Sequence, residues 1–180
     1  MEFLPVKINR VIDGKKIYCA GVYSKNLQKL IRGLKYHNQR DLAYYLAKFM
    51  AEYFSKITDK DIFEVVPVPI FPKREKKRKY NHMNLVGEEF CRLTSNTLNT
   101  SLIKRVKDTK PQYKLKRDER VKNLSNAFEV NKTYYTGKTV LLIDDICTTG
   151  STFEEMIREL KRNGIEPGGP SASVQSRMQV

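Results

Sequence analysis

Tryptophan is absent from the 180 residues, histidine occurs twice and cysteine three times. Cys19, Cys91 and Cys147 are odd in number and far apart, so neither a disulfide framework nor a zinc site is expected, and a reducing compartment fits. Acidic residues are scarce beside basic ones: 34 Lys and Arg against 20 Asp and Glu leave a formal charge of +14. A surface of that sign attracts phosphates, nucleic acid or anionic lipid headgroups without choosing among them. No run of about 18 apolar residues occurs, so no transmembrane helix is expected. The opening Met1-Glu2-Phe3-Leu4-Pro5 is not the apolar core of a secretory signal. A cytoplasmic location is the expectation, and peripheral contact with the inner membrane rests on charge alone. At this length one domain with a proper core is expected.

Against these absences one stretch stands out, residues 139–152. A β-branched-rich apolar run, Val140-Leu141-Leu142-Ile143, ends in two carboxylates, Asp144 and Asp145. Ile146-Cys147-Thr148-Thr149-Gly150-Ser151-Thr152 follows, and then a helix-period segment over 153–163. A continuous apolar run suits a strand covered on both faces, as in a parallel sheet. Ligands of such sheets bind beyond the carboxyl ends of the strands, where this loop must lie. Loop N–H groups and a helix N-terminus make a phosphate site lined by hydroxyls. Asp144 and Asp145 repel a phosphate, but they can accept hydrogen bonds from a vicinal diol. A phosphate and a diol on one small ligand amount to a ribose 5-phosphate unit. A helix cap alone would need one polar residue here, not six.

Earlier in the chain, alternation around Asp13-Gly14 over 6–23 predicts a hairpin. Ser24 is placed to cap a helix with Leu27, Leu30, Ile31 and Leu34 on one face. A second helix is expected over 40–56, with His37 a solvated loop residue between the two. Residues 63–69 read as the first core strand, ending at Pro67 and Pro69. The basic run 73–79 that follows reads as a loop on the same rim as Asp144 and Thr148, where its cations would meet a second phosphate of the same ligand. Asn81 is placed to cap the next helix. A short strand is expected over 102–106, and a mostly polar helix over 112–123 carrying one exposed Tyr113.

The strand, two acids and Thr148-Thr149-Gly150-Ser151-Thr152 resemble the phosphoribosyl pyrophosphate loop of type I phosphoribosyltransferases. A second pattern is Arg105, Asp108-Thr109, Gln112, Leu115, Arg120, Asn123 and Ala127-Phe128. With Pro67-Val68-Pro69, the basic run and Tyr80-Asn81, it resembles the ComF/GntX family, a phosphoribosyltransferase-like branch tied to DNA uptake. The resemblance covers residues 17–165. Two departures are plain: the family's opening Cys-x-x-Cys zinc module has no counterpart, and its usual Arg-Gly-aromatic-Asn-Gln is here Arg78-Lys79-Tyr80-Asn81-His82. The resemblance implies an α/β fold: a type I phosphoribosyltransferase-like parallel sheet flanked by helices, with an N-terminal hairpin plus helical hood. Residues 1–60 form the hairpin and hood within the same compact unit, and 61–166 the core. Residues 167–180 read as a flexible tail, unless 172–175 add a poor strand.

Roles follow from the resemblance. Phosphoribosyl pyrophosphate would place its 5-phosphate on Thr148, Thr149, Gly150, Ser151 and Thr152. Asp144 and Asp145 would be the catalytic and metal-binding acids, taking the ribose hydroxyls directly or through water on Mg²⁺. Arg74, Lys76, Arg78 and Lys79 would neutralise the pyrophosphate. Lys76, Lys77, Arg78, Lys79, Arg105, Arg117 and Arg120 are the nucleic-acid candidates, with single-stranded DNA and competence-machinery proteins as the partners the family suggests. No residue set spells out an acceptor; Tyr80, Tyr113 and Phe153 are the rings on which a base would stack. Three readings stay open: a ligand-binding protein of DNA uptake, an active transferase of nucleotide salvage, and a single-stranded DNA adaptor whose ligand site is regulatory.

Overall fold

The computed structural model describes residues 9–12, 15–22, 24–58, 62–109, 123–168 and 171–175. The chain begins with β1 (Asn9–Ile12) and β2 (Lys15–Val22), antiparallel, with Ile12 opposite Lys15. Two helices follow, α1 (Lys25–Tyr36) and α2 (Leu42–Phe54), and then β3 (Glu64–Pro67). Next come α3 (Pro72–Arg78), α4 (His82–Thr94) and β4 (Thr97–Leu98). β5 (Ile103–Arg105) and β6 (Phe128–Val130) form a separate antiparallel pair, so the strand expected over 102–106 lies outside the main sheet. β7 (Val140–Ile143), α5 (Ser151–Arg162) and β8 (Ser171–Gln175) complete the chain.

The main sheet runs β1-β2-β8-β7-β3-β4, parallel at every pairing except β1 with β2. From β3 the chain steps outward to β4, then returns to the other side of β3 as β7 and continues outward to β8. The order therefore reverses between β3 and β7, and the connections leaving those two carboxyl ends part to open a crevice. Residues 171–175 are thus not a free tail: they bridge β2 and β7. Their modest hydrophobicity hides this, because two open neighbouring strand edges recruit the segment through backbone hydrogen bonds, which composition does not report.

All four residues of β3 and all four of β7 are buried, as a sheet covered on both faces demands. Val65, Leu141 and Ile143 face a cluster from α1, α2 and α4, built on Leu34, Leu46, Met50, Met83 and Phe90. Val66, Val140 and Leu142 face the opposite way, onto Phe153, Met156 and Leu160 of α5 and Phe128 of the small sheet. The hood helices are therefore one of the two layers that close the core. Phe54 meets Phe63 and Phe90 edge-on at 5.6 and 5.3 Å, joining α2, β3 and α4.

Two local expectations change. Ser24 occupies the N-cap of α1, but its side chain makes no capping bond, whereas Asn81 accepts from the Met83 amide at 3.0 Å. The basic run 73–79 is mainly a helix rather than a loop. Pro72 stands at its first position behind an extended Phe71, and Lys, Arg and Glu are good helix formers. It stops at Lys79, whose φ of 67° is left-handed, the conformation that the glycine usual at this place in the family adopts at no cost.

Helix α4 lies close to the sheet at Gly87. A Cβ there would sit 2.8 Å from Leu98 Cδ1 and 2.9 Å from Pro67 Cγ, and the proline cannot move aside. Gly87→Val should destabilise the protein by about 1–3 kcal/mol by overpacking. Urea unfolding should show a lower midpoint with an unchanged slope; an unshifted midpoint would mean that α4 tolerates a wider spacing.

Candidate functional site

β7 delivers its last apolar residue, Ile143, and the next two residues are the acids. The loop then turns inward: Cys147 is buried in the core beside Phe153, as a small loop residue would be. Thr149 Oγ1 and Ser151 Oγ are 2.7 Å apart, and Ser151 N donates to Thr149 Oγ1 at 3.4 Å. Gly150, at φ 84°, is the N-cap of α5, and no side chain caps that helix. The first-turn N–H groups of a helix lack intrahelical partners, so this end of α5 suits an anion.

Across the crevice stands the segment leaving β3. Val68, Ile70, Arg74, Lys77, Arg78, Lys79, Tyr80 and His82 line one wall, and the acids with 146–153 line the other. Lys35, Tyr36 and Asn38 from the end of α1 close it from the hood side, and Arg105 enters from the small sheet. The cleft encloses about 790 Å³, room for a diphosphorylated sugar. It gathers Asp144, Asp145, Thr148, Thr149, Gly150, Ser151 and Thr152, together with Arg74, Arg78 and Lys79. Lys76 is exposed on α3 and is not on the cleft wall, whereas Lys77, assigned from sequence to nucleic acid alone, is. Arg105, assigned the same way, also faces the cleft; Arg117 and Arg120 lie outside the described residues.

Arg74 donates to the Thr109 carbonyl and lies 3.3 Å from Asp108 Oδ1, while Arg105 donates to Thr109 Oγ1. The Arg105 guanidinium rests on the Phe128 ring at 5.4 Å, and its buried Nε has no hydrogen-bond partner among the described residues. Burial, with Arg74 as a near neighbour, lowers its pKa to about 10, so it remains a cation at neutral pH. Of the rings offered for stacking, Phe153 is buried in the core, Tyr80 is half-buried with its hydroxyl on the Leu34 carbonyl, and Tyr113 is outside the described residues. The exposed ring is Tyr36, 63% exposed, with the Arg78 guanidinium 5.4 Å from its centre.

Two residues that sequence reasoning missed complete the site. Asp145 Oδ2 takes Lys35 Nζ at 2.5 Å and His82 Nε2 at 2.7 Å. Burial alone would raise the Asp145 pKa, but the Lys35 charge and the His82 bond outweigh it and hold it well below the usual carboxylate range. Burial would likewise lower Lys35, and the Asp145 charge raises it instead. Burial, followed by the charge of Asp145, pushes Asp144 up to about 8. For His82 burial wins, and its pKa falls below the ordinary value despite Asp145. A neutral imidazole bonded to an ionised carboxylate must carry its proton on Nε2. Its Nδ1 is buried with no hydrogen-bond partner among the described residues. No signal in the sequence joins positions 35, 82 and 145; only the fold does.

A fold of this topology, with an acid pair and a Thr/Gly/Ser loop at its switch point, is that of the type I phosphoribosyltransferase class. In keeping with it, the family model described as "Phosphoribosyl transferase domain" matches residues 94–174. Competence protein F of Haemophilus influenzae is 33% identical over 157 residues, which is 84% of this chain and 69% of that protein. DNA utilization protein YhgH of Escherichia coli K12 is 27% identical over 146 residues, 79% of this chain and 64% of that protein. Competence protein ComFC of Bacillus subtilis is 27% identical over 143 residues, 79% and 56% of the two. The chain belongs to the ComF family of phosphoribosyltransferase-fold proteins. It spans about two thirds or less of the length of these relatives. Among the described residues no helix is long and apolar enough to cross a membrane.

The His82 pKa, lowered below its unfolded value, gives a signed prediction. Below about pH 6.5 the unfolded chain binds a proton that the folded chain refuses, so stability falls as the pH falls. Asp144, with its raised value, moves the curve the other way, so the difference between wild type and His82→Gln isolates the histidine. Urea unfolding at pH 7.5 and 5.5 should show wild type losing more than His82→Gln, by up to about 1.4 kcal/mol. Equal losses would mean that His82 titrates in the fold as it does in the unfolded chain, and a smaller loss in wild type that the fold favours its protonated form.

Proposed function

We propose that the cleft binds phosphoribosyl pyrophosphate with Mg²⁺ and that the protein serves DNA uptake, as the names of its relatives suggest. The observation that carries the ligand reading is the convergence of three features on one crevice: the uncapped α5 terminus with its Thr and Ser hydroxyls, the acid pair, and the cations of α3. The loop 148–152 takes the 5-phosphate. Asp144, half-buried on the cleft wall, accepts from the ribose diol. Arg74, Lys77, Arg78, Lys79 and Arg105 surround the place left for the pyrophosphate.

The residues fit Mg²⁺ of the kind that arrives with its ligand. Among the described residues no group of three or more His, Cys, Asp or Glu gathers to form a cage. Burial first, and the charge of Asp145 next, raise the pKa of Asp144, and a cation beside it would favour its ionised form. Bound there, the ion would neutralise phosphate charge. If transfer occurs, positive charge builds on the ribose ring as pyrophosphate leaves, and a fixed carboxylate beside the ring stabilises it.

A second reading has its own observation. Two ring–cation pairs stand at or beside the cleft: Arg78 lies 5.4 Å from the centre of Tyr36, and Arg40 lies 4.6 Å from that of Tyr80. Interleaved rings and cations are how proteins hold single-stranded nucleic acid, stacking bases while neutralising phosphates.

Asp144→Asn should weaken phosphoribosyl pyrophosphate with MgCl₂ by about 1.5–3 kcal/mol, roughly ten- to a hundredfold, in calorimetry. Its unfolding midpoint should not fall, and Mg²⁺ alone should give no heat with the wild type. Undiminished affinity in Asp144→Asn discards the ribose assignment.

For the strand reading, Tyr36→Ala should cost about 1–3 kcal/mol of oligothymidine binding in anisotropy, at an unchanged salt slope. Arg78→Gln should lower that slope by about one. If neither substitution matters, the strand binds elsewhere.

A further inference from the structure

Asp144 and Asp145 are neighbours in sequence and both reach the cleft, yet the fold gives them different partners. Side chains alternate along a strand. Leu142 faces α5 and the small sheet, and Ile143 faces the hood helices and α4. β7 ends at Ile143, and beyond it Asp144 lies near enough to Arg105 and to Lys35 to support both charges. Asp145 bonds Lys35 and His82 directly.

The environments differ accordingly. Asp145 is 4% exposed, and one of its oxygens takes both donors. Lys35 comes from the last turn of α1, and His82 is the first residue of α4. Lys35 and His82 keep 19% and 4% of their side chains exposed, so water competes little for either bond. The same end of α1 is held a second time, where the Leu34 carbonyl accepts the Tyr80 hydroxyl. Asp144 is held differently: its Oδ1 accepts the Asp145 amide at 2.8 Å, Lys35 acts on it through charge, and the side chain lies on the cleft wall.

We propose that the two acids have separate tasks: Asp144 faces the ligand, whereas Asp145 anchors a buried Lys35–Asp145–His82 bridge that holds the hood on the phosphate loop. Lys35 is then a positioning residue. It sets the hood wall of the cleft and, one residue on, the place of Tyr36. This rests on the reading of the cleft as a phosphoribosyl pyrophosphate site, with a division of labour that the adjacent acids do not reveal.

The test compares Asp144→Asn, Asp145→Asn, Lys35→Met, Lys35→Arg and the double variant K35M/D145N. Two measurements are made on each: calorimetric affinity for phosphoribosyl pyrophosphate with MgCl₂, and the urea unfolding midpoint. Asp145→Asn and Lys35→Met should each lower the midpoint and weaken binding about tenfold, and the double variant should be no worse than the weaker single, because one bridge is lost once. Lys35→Arg keeps the charge and should restore most of the affinity lost in Lys35→Met. Asp144→Asn should lose binding without losing midpoint.

Additive effects of K35M and D145N in unfolding would overturn the bridge. So would an Asp145→Asn variant that weakens binding at an unchanged midpoint, since Asp145 would then touch the ligand. If Asp145→Asn does not fold, the Lys35→Met and Lys35→Arg pair decides, and equal affinities overturn the proposal. A wild type that binds no phosphoribosyl pyrophosphate overturns the ligand reading instead, and the unfolding cycle still judges the bridge.

Discussion

One oxygen, Oδ2 of Asp145, holds together three parts of the chain that nothing in their sequence connects. A carboxylate this deeply buried is tolerable only with a partner; stripped of one, it would cost about 3–5 kcal/mol. Lys35 supplies the charge and His82 a neutral donor, so the end of α1, the start of α4 and the phosphate loop must arrive together. The hood is therefore not an ornament laid on a finished domain. Its α1 and α2 close one face of the core, and its last turn finishes the cleft.

The crevice exists because of strand order. β3 and β7 are neighbours in register from Glu64 with Val140 to Pro67 with Ile143, so their ends are level. The chain leaves them in different directions. The segment after β3 brings the cations of α3, and the segment after β7 brings the acids and hydroxyls. The cleft thus faces a cationic wall with a wall of carboxylates and hydroxyls, which is what the proposed ligand, with a diol at one place and phosphates at others, would require. The small sheet adds to this at a distance, since β5 ends at Arg105 and carries it to the cleft.

How much of this could be read in advance depended on range. Residues 140–152 were legible because strand, acids, loop and helix start are contiguous, and their geometry follows from local rules. The hairpin, α1, α2 and the Asn81 cap were legible for the same reason. The run 73–79 was misplaced because its charge suggested a solvated loop, although Pro72 at a helix start and a row of good helix formers were there to be weighed. The strand over 171–175 was legible only as the alternative to a flexible tail, because its residues are small and polar and a slot between two strands is filled by backbone pairing. Lys35 and His82 were beyond reach altogether: each joins the cleft through a tertiary contact, and a lone lysine on a helix reads as solvated until the helix is docked; Arg105 was legible as a binding cation, but not its place in this cleft.

The end of α1 also connects the two binding readings. Consecutive residues of a helix point about 100° apart, so a helix end that buries Lys35 against Asp145 must turn Tyr36 away, toward the rim. That is where the ring is, exposed and backed by Arg78, a residue of the same wall that meets the ligand's phosphates in the proposed site. A base stacked on Tyr36 would therefore be held in a fixed relation to the phosphate loop through two side chains of one turn. Ligand and strand then need no relay between distant surfaces to influence each other: both would act on the same helix end, and whatever shifts Lys35 would shift Tyr36 with it.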